Sequence, residues 1–96
     1  MTPRPGLTQM QDDIFNSVLL ACPSRWEAGY DLVNGKPVYS VFGFPNQITY
    51  KRPLLATVIF DSKRKGLAVT FITINTVDKE LFIERLAENT TYTIYT

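Results

Sequence analysis

The sequence predicts one small domain that begins with an α-helix and continues as a series of β-strands. The chain has 96 residues, of which 45% are apolar, and this suffices for a single core. Apolar residues recur every four positions before Pro23, and several later runs are rich in β-branched and aromatic residues. The fold class is mainly β with one N-terminal helix, or α+β if the last third forms a second helix.

The N-terminal region predicts an extended arm over residues 1–7 and a single domain over residues 8–96. Two prolines in the arm cannot donate backbone hydrogen bonds. A helix over 8–22 follows, because Thr8 and Gln11 have the form of a capping box. Pro23 disfavours helical geometry at Cys22 and ends the helix there. The predicted apolar face consists of Met10, Ile14, Phe15, Val18, Leu19 and Cys22.

The next segment predicts a β-hairpin with strands over about 25–33 and 36–44. Asn34-Gly35 between them is the strongest short hairpin signal in a sequence. Pro37 removes one backbone donor, which predicts that its strand lies at a sheet edge. The polar stretch "PNQITYKRP", residues 45–53, then predicts a turn and loop.

A second hairpin is predicted over the middle of the chain. "LLATVIF" and "LAVTFITI" indicate strands over about 54–60 and 67–75, because β-branched and other apolar residues run almost without interruption. "DSKRKG" joins them as a polar connection, in which Gly66 is expected to take a positive φ.

The last third fits two structures. In one, Thr76 caps a helix at about 77–88, and Val77 and Leu81 share a face with either Phe82 or Leu86. In the other, "ELFIERL" is a strand over about 80–86, "AENT" is its turn and "TYTIYT" is a closing strand over about 91–96. The residue pattern alone does not decide between them.

Several classes of chemistry lack their usual residues. The chain has no histidine and one cysteine, so the commonest general base and metal ligand are missing. Cys22 at a helix C-terminus faces the negative end of the helix dipole, which predicts a packed thiol. No phosphate-binding glycine pattern occurs. We therefore expect no enzyme activity, no catalytic residue, no metal and no cofactor.

The hydropathy of the chain indicates no membrane segment. No apolar stretch approaches the roughly 20 residues that a transmembrane helix needs. The single cysteine cannot form an internal disulfide, which fits a reducing compartment.

Basic side chains concentrate in the middle of the sequence. Residues 36–65 hold six basic residues and one acid, whereas both flanks are net negative. On loops, such residues can contact phosphates without reading bases. The alternative is a solvated turn that also blunts edge aggregation. The candidate binding residues are Asn46, Gln47, Tyr50, Lys51, Arg52, Lys63, Arg64 and Lys65.

Two stretches resemble the lambda-type head–tail joining proteins of tailed bacteriophages. "VFGFPNQITY", Val41 to Tyr50, is similar to a family pattern of Val-Phe, two residues, Pro, two residues, Ile, a hydroxyl residue and Tyr. "LFIERLAENTTYTIY", Leu81 to Tyr95, is similar to a closing hairpin of that family. Together they cover about a quarter of the chain.

The resemblance implies two strands in the last third, and hence a small β-sandwich or barrel of about six strands with one N-terminal helix. It also implies a homo-oligomeric ring, typically a hexamer, in the neck of the virion, made in the host cytoplasm. The arm and the closing hairpin would contact the rings above and below.

The partners that the resemblance implies are a portal or adaptor protein and a tail terminator or tail tube protein. The candidate binding residues would then contact genomic DNA non-specifically in the channel, or a neighbouring subunit. Two alternatives remain: a tail terminator or tail completion protein, and a small nucleic-acid-binding regulator that uses the basic region 51–65.

Overall fold

The computed structural model describes residues 2–96 and contains a five-stranded sheet and two helices. This is a small α+β fold, so the α+β alternative predicted from the sequence is confirmed. In chain order the elements are α1 (Gln9–Ala21), β1 (Glu27–Val33), β2 (Lys36–Phe42), β3 (Leu54–Asp61), β4 (Gly66–Phe71), α2 (Thr76–Glu88) and β5 (Thr93–Tyr95).

Helix α2 replaces the strand predicted over about 80–86, and the six-stranded sandwich or barrel does not form. Its two buried side chains, Phe82 and Leu86, lie four residues apart on one helical face. In a strand, Glu84 would share a face with both, which would bury a carboxylate. The helix is capped by Asn75 rather than Thr76, because Asn75 Oδ1 accepts from the backbone N–H of Asp78 at 2.8 Å.

The sheet has the strand order β1-β2-β3-β4-β5. The first four strands form an antiparallel meander, as the two predicted hairpins require. Strand β5 pairs in parallel with β4, because α2 carries the chain back across the sheet between them. The strands predicted over 36–44, 67–75 and 91–96 are each longer than the strand observed there.

The first hairpin forms at Asn34-Gly35, whose φ angles of 54° and 78° suit a two-residue turn. The prediction that Pro37 marks an edge strand is wrong, because β2 lies between β1 and β3. The pairing of β2 with β3 extends from Phe42 only as far as Tyr39, which pairs with Val58. Pro37 lies beyond that register, so its missing donor interrupts no hydrogen bond to β3.

Gly66 serves a different purpose from the one predicted. The positive φ in this turn belongs to Lys65, at 50°, whereas Gly66 begins β4. A Cβ at Gly66 would lie 2.6 Å from the carbonyl oxygen of Thr93 and would overlap the ring of Tyr95. Glycine is therefore required here because β5 approaches the backbone closely.

Both helices cover the same face of the sheet. Phe15 of α1 packs against Tyr30 at 5.2 Å and Tyr39 at 6.0 Å between ring centroids. Phe82 of α2 packs against Phe71 at 6.2 Å. The opposite face carries no helix. The largest fully buried side chains are Tyr39, Phe82, Ile14, Leu67, Leu86, Val18, Val41 and Val58.

Buried polar atoms in the core find partners on the helices. The Tyr39 hydroxyl donates to the carbonyl oxygen of Gln11 at 2.9 Å, and burial raises the pKa of Tyr39 to about 12. The Ser17 hydroxyl donates to the carbonyl oxygen of Asn89 at 2.7 Å. This bond joins α1 to the end of α2.

The N-terminal arm packs on the rest of the domain. Both the backbone N–H and the guanidinium of Arg4 donate to Asp12 Oδ1, at 3.1 and 2.7 Å. The guanidinium also lies 4.8 Å from the centroid of the Phe15 ring. Leu7 is buried, and the Tyr30 hydroxyl donates to the carbonyl oxygen of Pro5 at 2.8 Å. The contacts made by residues 2–7 thus include several to α1 and β1.

The contact between Arg4 and Asp12 predicts a pH dependence. The backbone and side-chain hydrogen bonds from Arg4 lower the pKa of Asp12 from its ordinary value of 3.8. The stabilisation is therefore complete above that value and is lost as the pH falls through the lower folded-state pKa. We expect Asp12→Asn to reduce the acid sensitivity of the urea midpoint between pH 6 and about pH 2.5. An equal acid sensitivity in Asp12→Asn and the wild type would contradict this.

Candidate interaction surface

The loop between β2 and β3, residues 43–53, is closed by hydrogen bonds around Asn46. Its side-chain Oδ1 accepts from the backbone N–H groups of Ile48 at 2.8 Å and Thr49 at 3.1 Å. Its own N–H donates to the carbonyl oxygen of Lys51, and its carbonyl accepts from the N–H of Tyr50, both at 2.8 Å. Asn46, predicted as a binding residue, therefore organises the loop.

Arg52 anchors the base of this loop. Its Nε lies 2.9 Å from Oε2 of Glu27, and its Nη1 donates to the carbonyl oxygens of Gly43 at 3.0 Å and Arg25 at 3.2 Å. The guanidinium thus joins the loop to the beginning of β1. Its charge is paired within the domain, so it has less capacity to bind a phosphate.

Arg52→Ala is expected to loosen the loop because it removes an ion pair and two hydrogen bonds. We expect a loss of about 1 kcal/mol in stability and faster hydrogen exchange at the amides of Asn46 and Tyr50. The matched control is Lys51→Ala, because the Lys51 ammonium forms no hydrogen bond or ion pair within residues 2–96. Unchanged loop exchange in Arg52→Ala would show that the anchor is dispensable.

The loop tip, residues 47–51, presents large side chains to solvent. Ile48 is 86% exposed and Tyr50 is 84% exposed. Phe44, at the start of the loop, is also exposed. Tyr50 has a φ of 59°, a left-handed conformation that is unfavourable for tyrosine. Gln47 is exposed beside Ile48. Sequence reasoning treated this segment as polar and missed Phe44 and Ile48, although both are visible in "GFPNQITY".

The second basic segment, residues 63–65, forms the turn between β3 and β4. Asp61 Oδ1 accepts from the backbone N–H groups of Lys63 at 3.0 Å and Arg64 at 3.2 Å. Arg64 Nε lies 2.9 Å from Asp61 Oδ2, and its guanidinium lies 4.2 Å from the centroid of the Tyr95 ring. The bonds from Arg64 lower the pKa of Asp61. Arg64 is therefore engaged within the domain, whereas Lys63 and Lys65 are exposed.

The structure does not bring the two basic segments together. The loop over 43–53 precedes β3, and the turn over 63–65 follows it. Strand β3 has eight residues, so it separates the segments by roughly 25 Å. The two basic segments belong to one block of the sequence, but they therefore lie at opposite ends of β3.

The sheet surface opposite the helices is partly apolar. Alternation along the strands places the neighbours of the buried residues Tyr39, Val58 and Val69 on this surface. We call this surface the open face, and its apolar side chains include Val33, Val38, Phe42, Ile59, Ala68 and Tyr95. Ile59 is 43% exposed. Asp31 lies opposite Val38, and Lys36 lies opposite Val33 on the same face, so this edge of the face carries one charge of each sign.

Other chemically capable groups are sparse in the part of the chain that the structure describes. Burial raises the pKa of the Cys22 thiol to about 11, so it is protonated at neutral pH and is a weak nucleophile. Residues 2–96 contain no cluster of three or more His, Cys, Asp or Glu side chains placed to hold a metal ion. None of the described helices is long and apolar enough to cross a bilayer.

The loop tip and the open face are thus the two surfaces that point to an interaction. Ile48 and Tyr50 are exposed on the loop tip, and Ile59 is exposed on the open face. Comparisons with protein-family models, curated proteins and solved structures find no match to this chain.

Proposed function

We propose that this chain is a structural subunit that assembles with copies of itself into a ring in the neck of a tailed bacteriophage virion. The observation that carries this proposal is the exposure of large apolar side chains, which are Phe44, Ile48 and Tyr50 on the loop and Ile59 on the open face. Exposed apolar surface of this kind is typical of proteins that bind other proteins. A stand-alone domain of 96 residues gains stability from such contacts.

A ring fits surfaces of this kind. The loop tip and the open face differ from each other, so a contact between them is heterologous and repeats from subunit to subunit. Such a series closes into a ring when the rotation between neighbouring subunits brings the last subunit back to the first. In a hexameric ring around DNA, Lys51, Lys63 and Lys65 are the basic candidate residues that form no ion pair within residues 2–96 and could contact phosphates weakly and non-specifically.

The placement in the neck rests on the resemblance of Val41 to Tyr50 to the head–tail joining proteins. This stretch covers the end of β2 and the loop tip. In that position the ring would lie between a portal or adaptor protein and a tail terminator or tail tube protein. The ring is assembled in the host cytoplasm and remains in the virion.

A tail terminator or tail completion protein is the second candidate. Helix α2 counts against a joining protein, because that family's closing hairpin is expected where Leu81 to Glu88 are helical. Both candidates are rings near the same junction, so the proposed assembly is common to them. They differ in the neighbours that the ring contacts.

A nucleic-acid-binding regulator is less well supported. The basic residues 51–65 that it would use are divided between two ends of the sheet. Arg52 and Arg64 are also paired with carboxylates within the subunit. A phosphate-binding surface needs several free cations on one side of the domain.

Electron microscopy of the purified protein tests the proposal. We expect annular particles with rotational symmetry, and we expect an antibody against the chain to label the head–tail junction of phage particles released by the source culture. A gel-shift titration with duplex DNA is the counterpart measurement. A monomer that binds duplex with steeply salt-dependent affinity and forms no annular particle would contradict the proposal.

A further inference from the structure

We infer that the outer edge of β1 pairs antiparallel with β1 of a second copy of this chain, which joins the two sheets into one. The inference goes beyond the proposed function, because the contact uses neither the loop tip nor the open face. It rests on the backbone of β1, which pairs with β2 on one side and with no other strand within residues 2–96.

Alternate residues of β1 direct their backbone groups away from β2. The two-residue turn makes Val33 and Lys36 the hydrogen-bonded pair that closes the hairpin. Because this pairing alternates along an antiparallel ladder, every second residue of β1 points its N–H and C=O outward. These residues are Ala28, Tyr30 and Leu32. Their outward groups form no hydrogen bond to another backbone group within residues 2–96, so each depends on water unless a strand is added.

The β1 edge lacks several features that protect sheet edges from other strands. It is seven residues long and contains no proline, lysine or bulge. The strand at the other edge, β5, has only three residues. The N-terminal arm lies against the Leu32 side chain at Gly6, but in the described part of the chain it forms no backbone hydrogen bond with β1. A long edge of this kind is available for strand addition.

A second copy of β1 matches this edge in one register. With Tyr30 opposite Tyr30 of the second copy, Ala28 lies opposite Leu32, and the outward groups meet as hydrogen-bonded pairs. Every outward group of both strands then has a partner, and the contact has twofold symmetry. The two five-stranded sheets become one sheet of ten strands, which is within the usual size of an open sheet.

This register places no like charges directly opposite each other. Asp31 lies opposite Gly29 of the second copy, where a Cβ would meet no atom within 4 Å, and Glu27 lies opposite a valine. Within each subunit, Glu27 is paired with Arg52 at 2.9 Å. Lys36 lies on the same face as Asp31, one residue pair further along the hairpin. The acids of the edge are therefore compensated by bases of their own subunit, and the pairing is not opposed by charge.

The pairing also covers apolar side chains that are exposed at the edge. Leu32 is 45% exposed and would pack against Ala28 of the second copy. The two Tyr30 rings would meet at the centre of the contact. Cross-strand pairs of aromatic and aliphatic side chains stabilise a sheet. Because Ala28 is small, it leaves room for the arm that lies against Leu32 at Gly6.

Leu32→Pro tests the strand pairing. Proline removes the outward N–H of residue 32, and edge strands tolerate proline where the N–H faces solvent. We expect a protein with the native circular dichroism spectrum whose dissociation constant for self-association is raised at least about tenfold, as measured by sedimentation equilibrium. The matched control is Leu32→Ala, which keeps the N–H and should raise the dissociation constant by less than about threefold.

Disulfide trapping tests the register without depending on the proline variant. In a Cys22→Ala background, one preparation carries Gly29→Cys and another carries Asp31→Cys. These positions form a non-hydrogen-bonded pair in the inferred contact, where side chains are closest. We expect a cross-linked heterodimer when the two are mixed under mild oxidation. The control replaces Asp31→Cys with Ile59→Cys, at the centre of the open face, for which we expect little cross-linking with Gly29→Cys.

The outcomes separate this inference from the proposed function. Self-association that is undiminished in Leu32→Pro, with no selective cross-link, would overturn the strand pairing and leave the ring proposal intact. Dimers that are lost in Leu32→Pro and give the selective cross-link, but never form annular particles, would support the strand pairing and overturn the ring. A wild-type protein that stays monomeric at all concentrations would overturn both.

Discussion

Leu86→Pro is expected to unfold the domain. Leu86 lies in the last part of α2 and is fully buried. Proline removes the N–H that bonds the carbonyl of Phe82 and its ring clashes with that turn, at a cost of about 3 kcal/mol or more. Loss of the leucine side chain from the core adds about 2–5 kcal/mol. The sum approaches the whole stability of a domain of this size, about 5–15 kcal/mol.

Circular dichroism and urea denaturation check this expectation. The matched control is Thr76→Pro, which places proline at the first position of the same helix. The N–H of that residue has no partner inside the helix, and Asn75 before it is already extended at ψ 162°. Thr76→Pro should keep the native spectrum. A folded Leu86→Pro protein of near wild-type stability would contradict the placement of α2 in the core.

Phe82→Ala is expected to lower the free energy of unfolding by about 3–5 kcal/mol. Phe82 is fully buried, and its ring packs against Trp26 and Phe71 at 6.2 Å between centroids. Truncation therefore removes two aromatic contacts and leaves a cavity between α2 and the sheet. The urea midpoint measures the loss.

The adjacent residue provides the control for Phe82→Ala. Leu81 is 39% exposed, so Leu81→Ala should lower the stability by less than about 1 kcal/mol. The contrast between neighbours follows from the helical face, because residues 81 and 82 point about 100° apart on α2. Equal losses in the two variants would mean that this segment does not pack on the sheet as described.

Local signals in the sequence predicted the first four strands and α1. The capping box at Thr8, the Asn34-Gly35 turn and Pro23 each act over a few residues, so they are readable without tertiary information. The secondary structure of residues 80–86 was harder to predict, because helical and strand patterns both place Phe82 and Leu86 on one face. What separates them is the exposure of Glu84, which depends on how the segment packs.

The sequence predicted where the candidate binding residues lie better than it predicted what they do. The sequence indicated a loop over 45–53 and a turn near Lys63 to Lys65, and both exist. Arg52 has no acidic neighbour in the sequence, because its partner Glu27 begins β1 and meets it only in the folded domain. The basic residues form one block in sequence, whereas β3 separates them in space. The apolar loop tip was missed because the segment was judged by its polar neighbours.

Self-association is the central claim, and sedimentation velocity of the wild-type protein over a wide concentration range tests it most directly. The proposed ring predicts that monomer gives way to one discrete larger species, of a size consistent with a closed ring, as concentration rises. A single sedimentation boundary of monomer size at every concentration, including the highest at which the protein stays in solution, would contradict self-association.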